Sequence, residues 1–366
     1  MNPASWQISP AGPADDAALR QLLRESPLHG PVTTTLEREP SFFGGEVDAL
    51  RHDVALSRCH GEPAACGSRI LRRAWWQGLP ADTAYLAGLR VHPHYQGRAG
   101  KILVRGFRHL EECAARHPAA VTWTAVFENN HRARRTLAGC RAGLPAYHDR
   151  GRLLCPALAV PRRAPPPAPH GIHWQTGTMA SLEEIASFLT ARQRHRPLAP
   201  VHTAQELAGS QRWPGLQVDD FILARRGRTL VGVMAVWDQR AVRQVRIQGL
   251  AGPLRLVRPL WRGAARLAGW PALPADGTVL AMAHAAFLAV ADDSPALARL
   301  LLLAGRAAAA ARHLNWLCLC LHESDPLTPA LRGLPSLSSH GRLYQVSRES
   351  TAWPEGSAPV IESATL

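Results

Sequence analysis

Lysine is almost absent from this sequence, and aromatic residues are few. Lys101 is the one lysine, so nearly all of the formal net charge of +14 comes from arginine, and aromatic residues make up 6% of the chain. The arginines are spread along the whole chain and form no basic run interleaved with aromatic residues, as a nucleic-acid-binding surface would. The charge therefore indicates a compositional bias, and we expect no nucleic-acid partner.

Long apolar runs are also missing. The most apolar helix candidate, Leu300–Ala311, contains Arg306 and follows Arg299, so it is too short and too charged to cross a membrane. The first residues are polar and have no pattern of a secretory signal. Seven cysteines are scattered along the chain, which favours reduced thiols. We therefore expect a cytoplasmic protein with no membrane partner and no metal, of unknown oligomeric state.

A proline-rich stretch divides the chain into two halves. Residues 161–169 read PRRAPPPAP, a composition that enters neither a sheet nor a helix interior and that acts as a semi-rigid spacer. Each half is long enough to form a domain with its own core. We expect an N-terminal domain over residues 1–160, a linker over 161–170, a second domain over 171–350 and a C-terminal tail over 351–366.

The two halves repeat one order of elements. In the first half, strands are predicted near residues 6–9, 54–59, 65–74, 83–91, 120–127 and 152–160, with helices over 13–24, 97–116 and 130–138 and a loop and helix within 27–50. In the second, strands are predicted near 172–175, 220–225, 229–238, 279–290, 316–322 and 342–346, with helices over 181–194 and 295–314. Ser181 and Glu184 form a capping-box pattern. The repetition predicts a duplicated α/β unit.

The segment from Tyr85 to Phe107 carries the clearest chemical signal. A strand pattern ends at Val91, Pro93 stops it, and a glycine-rich turn precedes a long helix pattern. The start of a helix presents unpaired N–H groups and the positive end of the helix dipole, and glycine lets an anion approach the backbone closely. The basic side chains of Arg98 and Lys101 belong to the same turn. This arrangement predicts a pyrophosphate site.

Two motifs here resemble those of a known family. The run Leu89-Arg-Val-x-Pro-x-Tyr-Gln-Gly-Arg-Ala-Gly-Lys101 is similar to the acetyl-CoA loop of the GNAT superfamily of N-acetyltransferases. One helix and one strand later, Asn130-His-Arg-Ala133 matches the second signature, an Asn-x-x-Ala helix start. The resemblance covers residues 4–160 well and residues 170–350 by element order alone. It implies two tandem domains, the second of them degenerate.

The resemblance implies roles for the loop residues. The backbone of Leu89, Arg90 and Val91 would pair with the pantetheine arm of acetyl-CoA, and Asn130 would border the thioester end. The amides of Gly97, Arg98, Ala99, Gly100 and Lys101 would hold the pyrophosphate, with Gln96 shaping the turn. Two positions depart from the family pattern, since Ala99 replaces a glycine and Lys101 replaces a glycine or alanine.

Acyl transfer to an amine needs a proton acceptor, because only about 0.1% of a lysine-like amine is neutral near pH 7.4. Glu128 is the first candidate because it leaves the strand beside Asn130, and the alternatives are His131, His92 and Glu46. In the family, a tyrosine often reprotonates the leaving thiolate, but the corresponding residue here is Leu137. Tyr147 or Cys140 could take that role.

The second half lacks the phosphate loop. At the equivalent place Asp292 and Asp293 would repel a pyrophosphate, and Ser294-Pro295 forms an ordinary helix start. We therefore expect an α/β (α+β) fold with two tandem acyl-CoA N-acyltransferase-like domains, each a mixed, mostly antiparallel sheet flanked by helices. The first domain would transfer an acyl group from acetyl-CoA to an unidentified amine by direct attack on the thioester. The alternatives are a longer acyl group, a catalytically silent binding or regulatory protein, and a nucleic-acid-associated protein.

Overall fold

The structure is a computed structural model. It describes residues 6–137, 143–161, 167, 169–209, 211–268, 270–272, 274–348, 352–354 and 356–366, without the side chains at 98, 99, 101, 253, 254, 259, 262 and 266–268. Most of the predicted linker over 161–170, and Cys140, lie outside these residues.

Fifteen strands and seven α-helices are described. The strands are β1 Trp6–Pro10, β2 Val32–Glu37, β3 Arg51–Cys59, β4 Glu62–Trp76, β5 Leu79–Val91, β6 Val121–Phe127, β7 Ala146–Ala159, β8 His173–Thr176, β9 Phe221–Arg226, β10 Thr229–Trp237, β11 Gln244–Leu250, β12 Met282–Val290, β13 Trp316–Cys318, β14 Leu321–His322 and β15 Ser336–Ser347. The helices are α1 Asp16–Arg24, α2 Ala99–Arg116, α3 His131–Leu137, α4 Leu182–Gln193, α5 Ala204–Leu207, α6 Gly252–Ala268 and α7 Pro295–Ala311.

One continuous sheet runs through both halves. Its strand order is β1-β3-β4-β5-β6-β15-β7-β13-β12-β10-β9-β8, with β14 beside β7, and only the pairs β5–β6 and β12–β13 are parallel. The sheet is thus mixed and mostly antiparallel, and helices flank it, which confirms the predicted fold class. A separate ribbon pairs β2 of the first half with β11 of the second.

At the centre of the sheet, the second half contributes a strand to the first half. Strand β15, near the end of the second half, lies between β6 and β7 of the first half and is antiparallel to both. Its Leu343 and Tyr344 are buried. The first half therefore completes its sheet with a strand from near the end of the second half.

The helices bury apolar stripes on both faces of the sheet. Helix α1 buries Leu19, Leu22 and Leu23 against a cluster that includes Phe42 and Leu56. Helix α2 packs on β3 and β4 from the opposite face, where Arg69 donates a hydrogen bond to the carbonyl of His117 just after the helix. In the second half, α7 buries Leu297, Leu301 and Leu302 against the sheet.

Some local predictions differ from the structure. The helix expected within residues 27–50 is not formed: residues 32–37 are strand β2, and the β-branched run Val-Thr-Thr-Thr favours that state. The capping box predicted for Ser181 with Glu184 is instead formed by Thr178 with Ser181. Strand β11 and helix α6 were not predicted.

Candidate active site

The site is built where β5 and β6 separate. The two parallel strands pair only from Thr83 with Val121 to Tyr85 with Trp123. Gly88 then has φ 63°, in the left-handed region that favours glycine, and the register between β4 and β5 shifts there. This bulge redirects the end of β5, so that the two strands leave an opening between them.

The turn after β5 leads directly into α2. Residues 93–98 form a 3₁₀ helix, and the α-helix begins at Ala99, so Gly97, Arg98, Ala99, Gly100 and Lys101 lie across its start. A Cβ added at Gly97 would meet no atom within 4 Å. The approach to the first amides of α2 is therefore open at this position.

A residue that sequence reasoning missed fixes this turn. Arg132 of α3 donates hydrogen bonds to both the backbone carbonyl and the side-chain oxygen of Gln96. Asn130 caps the same helix, because its Oδ1 accepts from the amide of Ala133 at 3.0 Å. The two predicted motifs are thereby brought together by a contact between Gln96 and Arg132.

An apolar cluster lies at the α2 side of the opening. It joins residues of β5, β6, β7, β15 and both neighbouring helices: Leu89, Phe107, Val126, Ala133, Leu137, Tyr147 and Tyr344. Burial raises the pKa of Tyr147 well above its usual value, which keeps this phenol protonated. Leu137, at the position where the GNAT superfamily often has a tyrosine, belongs to the same apolar cluster.

Glu128 lies at the outer end of β6. Its carboxylate accepts hydrogen bonds from Arg152 at 2.7 and 3.1 Å and lies 3.4 Å from Arg342. The hydrogen bond from Arg152 is the largest cause that lowers the pKa of Glu128. This carboxylate is ionised at neutral pH, and the same ion pairs make it a weak proton acceptor.

The other candidate bases are dispersed. His131 is exposed at the start of α3, and His92 lies 3.5 Å from Glu25, on the α1 side of the turn. Glu46 is buried and bound to Arg38 and Arg72. Burial alone would raise the pKa of Glu46, but the nearby positive charges lower it to about 2.

His52 is a further candidate for the proton acceptor, and the sequence analysis did not identify it. Its Nε2 lies 3.0 Å from Oγ of Ser68, which sits across from Ala87 beside the Gly88 bulge. Burial is the main reason that the pKa of His52 falls to about 4, so the ring is neutral at pH 7. The alternation of β3 places His52 on the inner face with Val54 and Leu56, but no local signal links it to Ser68.

The second half contains an equivalent opening that its own chain fills. Strands β12 and β13 pair only over Met282–His284 and Trp316–Cys318. Beyond them, the amide of Phe287 donates to the carboxylate of Glu362 at 2.8 Å, and Ser363 contacts the carbonyl of Cys318 at 3.4 Å. The predicted tail therefore occupies the position where a ligand would enter.

Two structural findings bear on the predicted class of protein. No helix among the described residues has the length and apolar character needed to span a bilayer. Across the same described residues, no three His, Cys, Asp or Glu side chains are grouped as ligands of a metal ion would be.

Comparison with known proteins identifies the fold. The sequence itself matches no protein-family model and no curated protein. The structure is similar to a GCN5-related N-acetyltransferase from Sphaerobacter thermophilus, with a TM-score of 0.59 and 16% identity over 100% of both chains. It is also similar to Saccharomyces cerevisiae N-myristoyltransferase with bound myristoyl-CoA, with a TM-score of 0.59 and 10% identity over 95% of this chain and 80% of that one.

A third similar structure is a glucosamine N-acetyltransferase region within a fungal multi-domain β-N-acetylglucosaminidase. The TM-score is 0.61 at 11% identity, over 94% of this chain and 38% of that chain. At these identities the similarity concerns the fold. The chain has the fold of the GCN5-related N-acetyltransferases, the GNAT superfamily.

Proposed function

We propose that the protein is an acyl-CoA-dependent N-acyltransferase, with acetyl-CoA as its donor. The observation that carries this proposal is the opening between β5 and β6, which begins after Leu86, the last residue of β5 before the opening that bonds to β6, and which lies at the end of the strand that leads into the glycine turn before α2. The second opening is filled by residues around Glu362, so one donor would bind per chain.

The end of β5 would bind the donor as an added strand. Beyond Tyr85 this strand has no pairing with β6, so the backbone of Leu89, Arg90 and Val91 can bond to the amides of a pantetheine arm. The amides of Gly97, Arg98, Ala99, Gly100 and Lys101 would hold the pyrophosphate, where the helix dipole favours negative charge. Asn130 would border the thioester end, and Gln96 would shape the turn with Arg132.

The reaction would be a direct transfer. The neutral amine attacks the thioester carbonyl carbon, the C–S bond breaks, and the thiolate of coenzyme A takes a proton. Glu128 is the proposed acceptor of the amine proton and Tyr147 the proposed donor to the thiolate. Tyr147 suits that role in one respect, because burial keeps it protonated.

The test uses the full chain, because the first half alone lacks β15. Calorimetry with acetyl-CoA should give binding at one site, and mixing with a panel of primary amines should release free thiol. A chain that is folded by circular dichroism but gives no heat with acetyl-CoA would contradict the proposal. Binding without thiol release for any amine would instead support a catalytically silent protein.

A further inference from the structure

Two cysteines face each other across the boundary between the two halves. Cys155 lies on β7 of the first half, and Cys320 lies between β13 and β14 of the second half. Their Sγ atoms are 3.1 Å apart, although 165 positions separate the two residues in the chain. The two thiols are therefore in direct contact.

The register of the strands determines this contact. The pairing of β7 with β13 and the pairing of β7 with β14 follow one continuous register. In this register Leu321 lies opposite Leu154, so Cys320 lies directly opposite Cys155. The backbone of the central sheet, and not a loop, thus holds the two cysteines together.

The two cysteines occupy a position where side chains on neighbouring strands are close. In an antiparallel pair, hydrogen-bonded positions alternate with non-hydrogen-bonded ones, where the Cα atoms are only about 4.5 Å apart. The amide of Leu319 donates to the carbonyl of Pro156 at 3.2 Å, so this neighbouring pair is the hydrogen-bonded one. Cys155 and Cys320 therefore form a non-hydrogen-bonded pair. Their expected Cα separation lies near the lower end of the range that a disulfide accepts.

The two thiols differ in their access to solvent. Cys155 is partly exposed, whereas Cys320 is buried. The hydrogen bond with Cys155, followed by burial, raises the pKa of Cys320 well above that of a free thiol. An oxidant from solution would therefore react first with Cys155, and Cys320 would be the second sulfur.

We propose that Cys155 and Cys320 are a site of reversible oxidation, at which a hydroperoxide converts the two thiols into a disulfide between the halves. The sulfur of Cys155 attacks the peroxide, the O–O bond breaks, and the departing alkoxide leaves as an alcohol with the thiol proton. The sulfur of Cys320 then attacks the resulting sulfenic acid, the S–O bond breaks, and the hydroxyl group leaves as water with the second thiol proton. The two thiols lose two electrons, and the hydroperoxide accepts them.

The bond would join the two halves covalently. It would close a loop that contains the proline-rich stretch over 161–169 and most of the second half. Closing a long loop restricts the unfolded chain, so we expect the oxidised chain to be more stable than the reduced chain. The inference concerns the sheet and not the donor site, so it does not depend on the proposed acyltransferase function.

The experiment maps the bond in the full chain. The reduced, folded protein is treated with hydrogen peroxide, unfolded in the presence of iodoacetamide and digested with trypsin. Cys155 and Cys320 belong to different tryptic peptides, which end at Arg162 and Arg332. We expect these two peptides to be joined by a disulfide, and dithiothreitol to restore both thiols.

Variants assign the bond to this pair, because the peptide that contains Cys320 also contains Cys318. Cys155→Ser and Cys320→Ser should each lower the yield of joined peptides by roughly tenfold or more. Cys318→Ala is the matched control and should keep the yield. Oxidation should move urea unfolding of the wild type to a higher urea concentration, and this shift should be absent in Cys155→Ser.

Three results would overturn the inference. The first is complete alkylation of both cysteines after treatment with peroxide, and the second is a sulfinic acid at Cys155 with Cys320 still alkylated. The third is a joined pair of peptides that is lost in Cys318→Ala and kept in Cys320→Ser. Because the wild type alone decides the first two, the test does not depend on whether a variant folds.

Discussion

Gly97, in the turn before α2, has a hydrogen atom where any other residue has Cβ. The space around that position is open, since an added Cβ would meet no protein atom within 4 Å. A ligand held by the first amides of α2 would occupy this space, so the residue can report on the ligand without disturbing the fold.

We predict that Gly97→Ala weakens acetyl-CoA binding by roughly tenfold, because the methyl group interferes with hydrogen bonds to the pyrophosphate. Calorimetry measures the change. Gly106→Ala within α2 is the control, because its Cβ is also unobstructed and alanine favours a helix. Unchanged affinity in Gly97→Ala would place the pyrophosphate elsewhere.

Glu128 is the proposed acceptor of the amine proton. Glu128→Gln should lower kcat roughly 100-fold with the Kd of acetyl-CoA unchanged, a loss at the low end for general-base catalysis because Arg152 weakens this base. In the wild type, kcat should stay constant as the pH falls from 8 to 5, because a carboxylate with a lowered pKa remains ionised there. His52→Asn is the comparison variant. A full rate in Glu128→Gln together with a loss in His52→Asn would assign the proton to His52.

Among the elements, β15 determines whether the first half can form. Its residues 341–345 pair with β6 on one side, and its pairing with β7 on the other side runs from Ser336 to Ser347. Without β15 each of these two strands loses its hydrogen-bonding partner on one edge, and residues around Leu343 leave the core.

We therefore predict that residues 1–160 do not fold alone. Far-UV circular dichroism and urea titration should show no cooperative transition for this fragment, and mixing it with residues 161–366 should restore one. The full chain nicked by a protease between 161 and 170 is the control, because it keeps every strand. A cooperative transition of the isolated fragment would contradict the structural role assigned to β15.

The sequence predicted local elements better than distant contacts. The strand, glycine turn and helix from Tyr85 onward could be predicted because glycine, proline and apolar periodicity act within a few residues. The position of β15 could not, since Arg342–Val346 reads equally well as a strand beside any neighbour. The pairing of β2 with β11 also joins distant segments, and nothing in the sequence of either strand identifies the other as its partner.

For the molecule as a whole, buried neutral histidines make stability depend on pH. Burial lowers the pKa of His202 to about 4 and that of His284 to about 3, whereas an unfolded histidine titrates near 6.5. Between these values the unfolded state binds more protons than the folded state, so the free energy of unfolding rises with pH through this window.

We predict that each such histidine lowers stability by about 1.4 kcal/mol per pH unit as the pH falls from 6.5 towards 4. Glu362 and Asp48 oppose this effect, because burial raises the pKa of their carboxyls to about 7 and about 6. His202→Phe should remove about one proton from this dependence, as measured by urea unfolding at several pH values. His60→Asn, in the exposed β3–β4 turn, should leave the slope unchanged. An equal slope in His202→Phe and the wild type would mean that His202 is protonated in the folded state.

The place of β15 also affects how the protein can be synthesised. Translation produces β6 and β7 long before it reaches residue 336, so the nascent chain leaves the ribosome with two strand edges that have no partner. The gap between them is filled only after β15 of the second half has emerged. Formation of the first half is thus coupled to synthesis of the second, and a product that stops before residue 336 cannot complete this sheet.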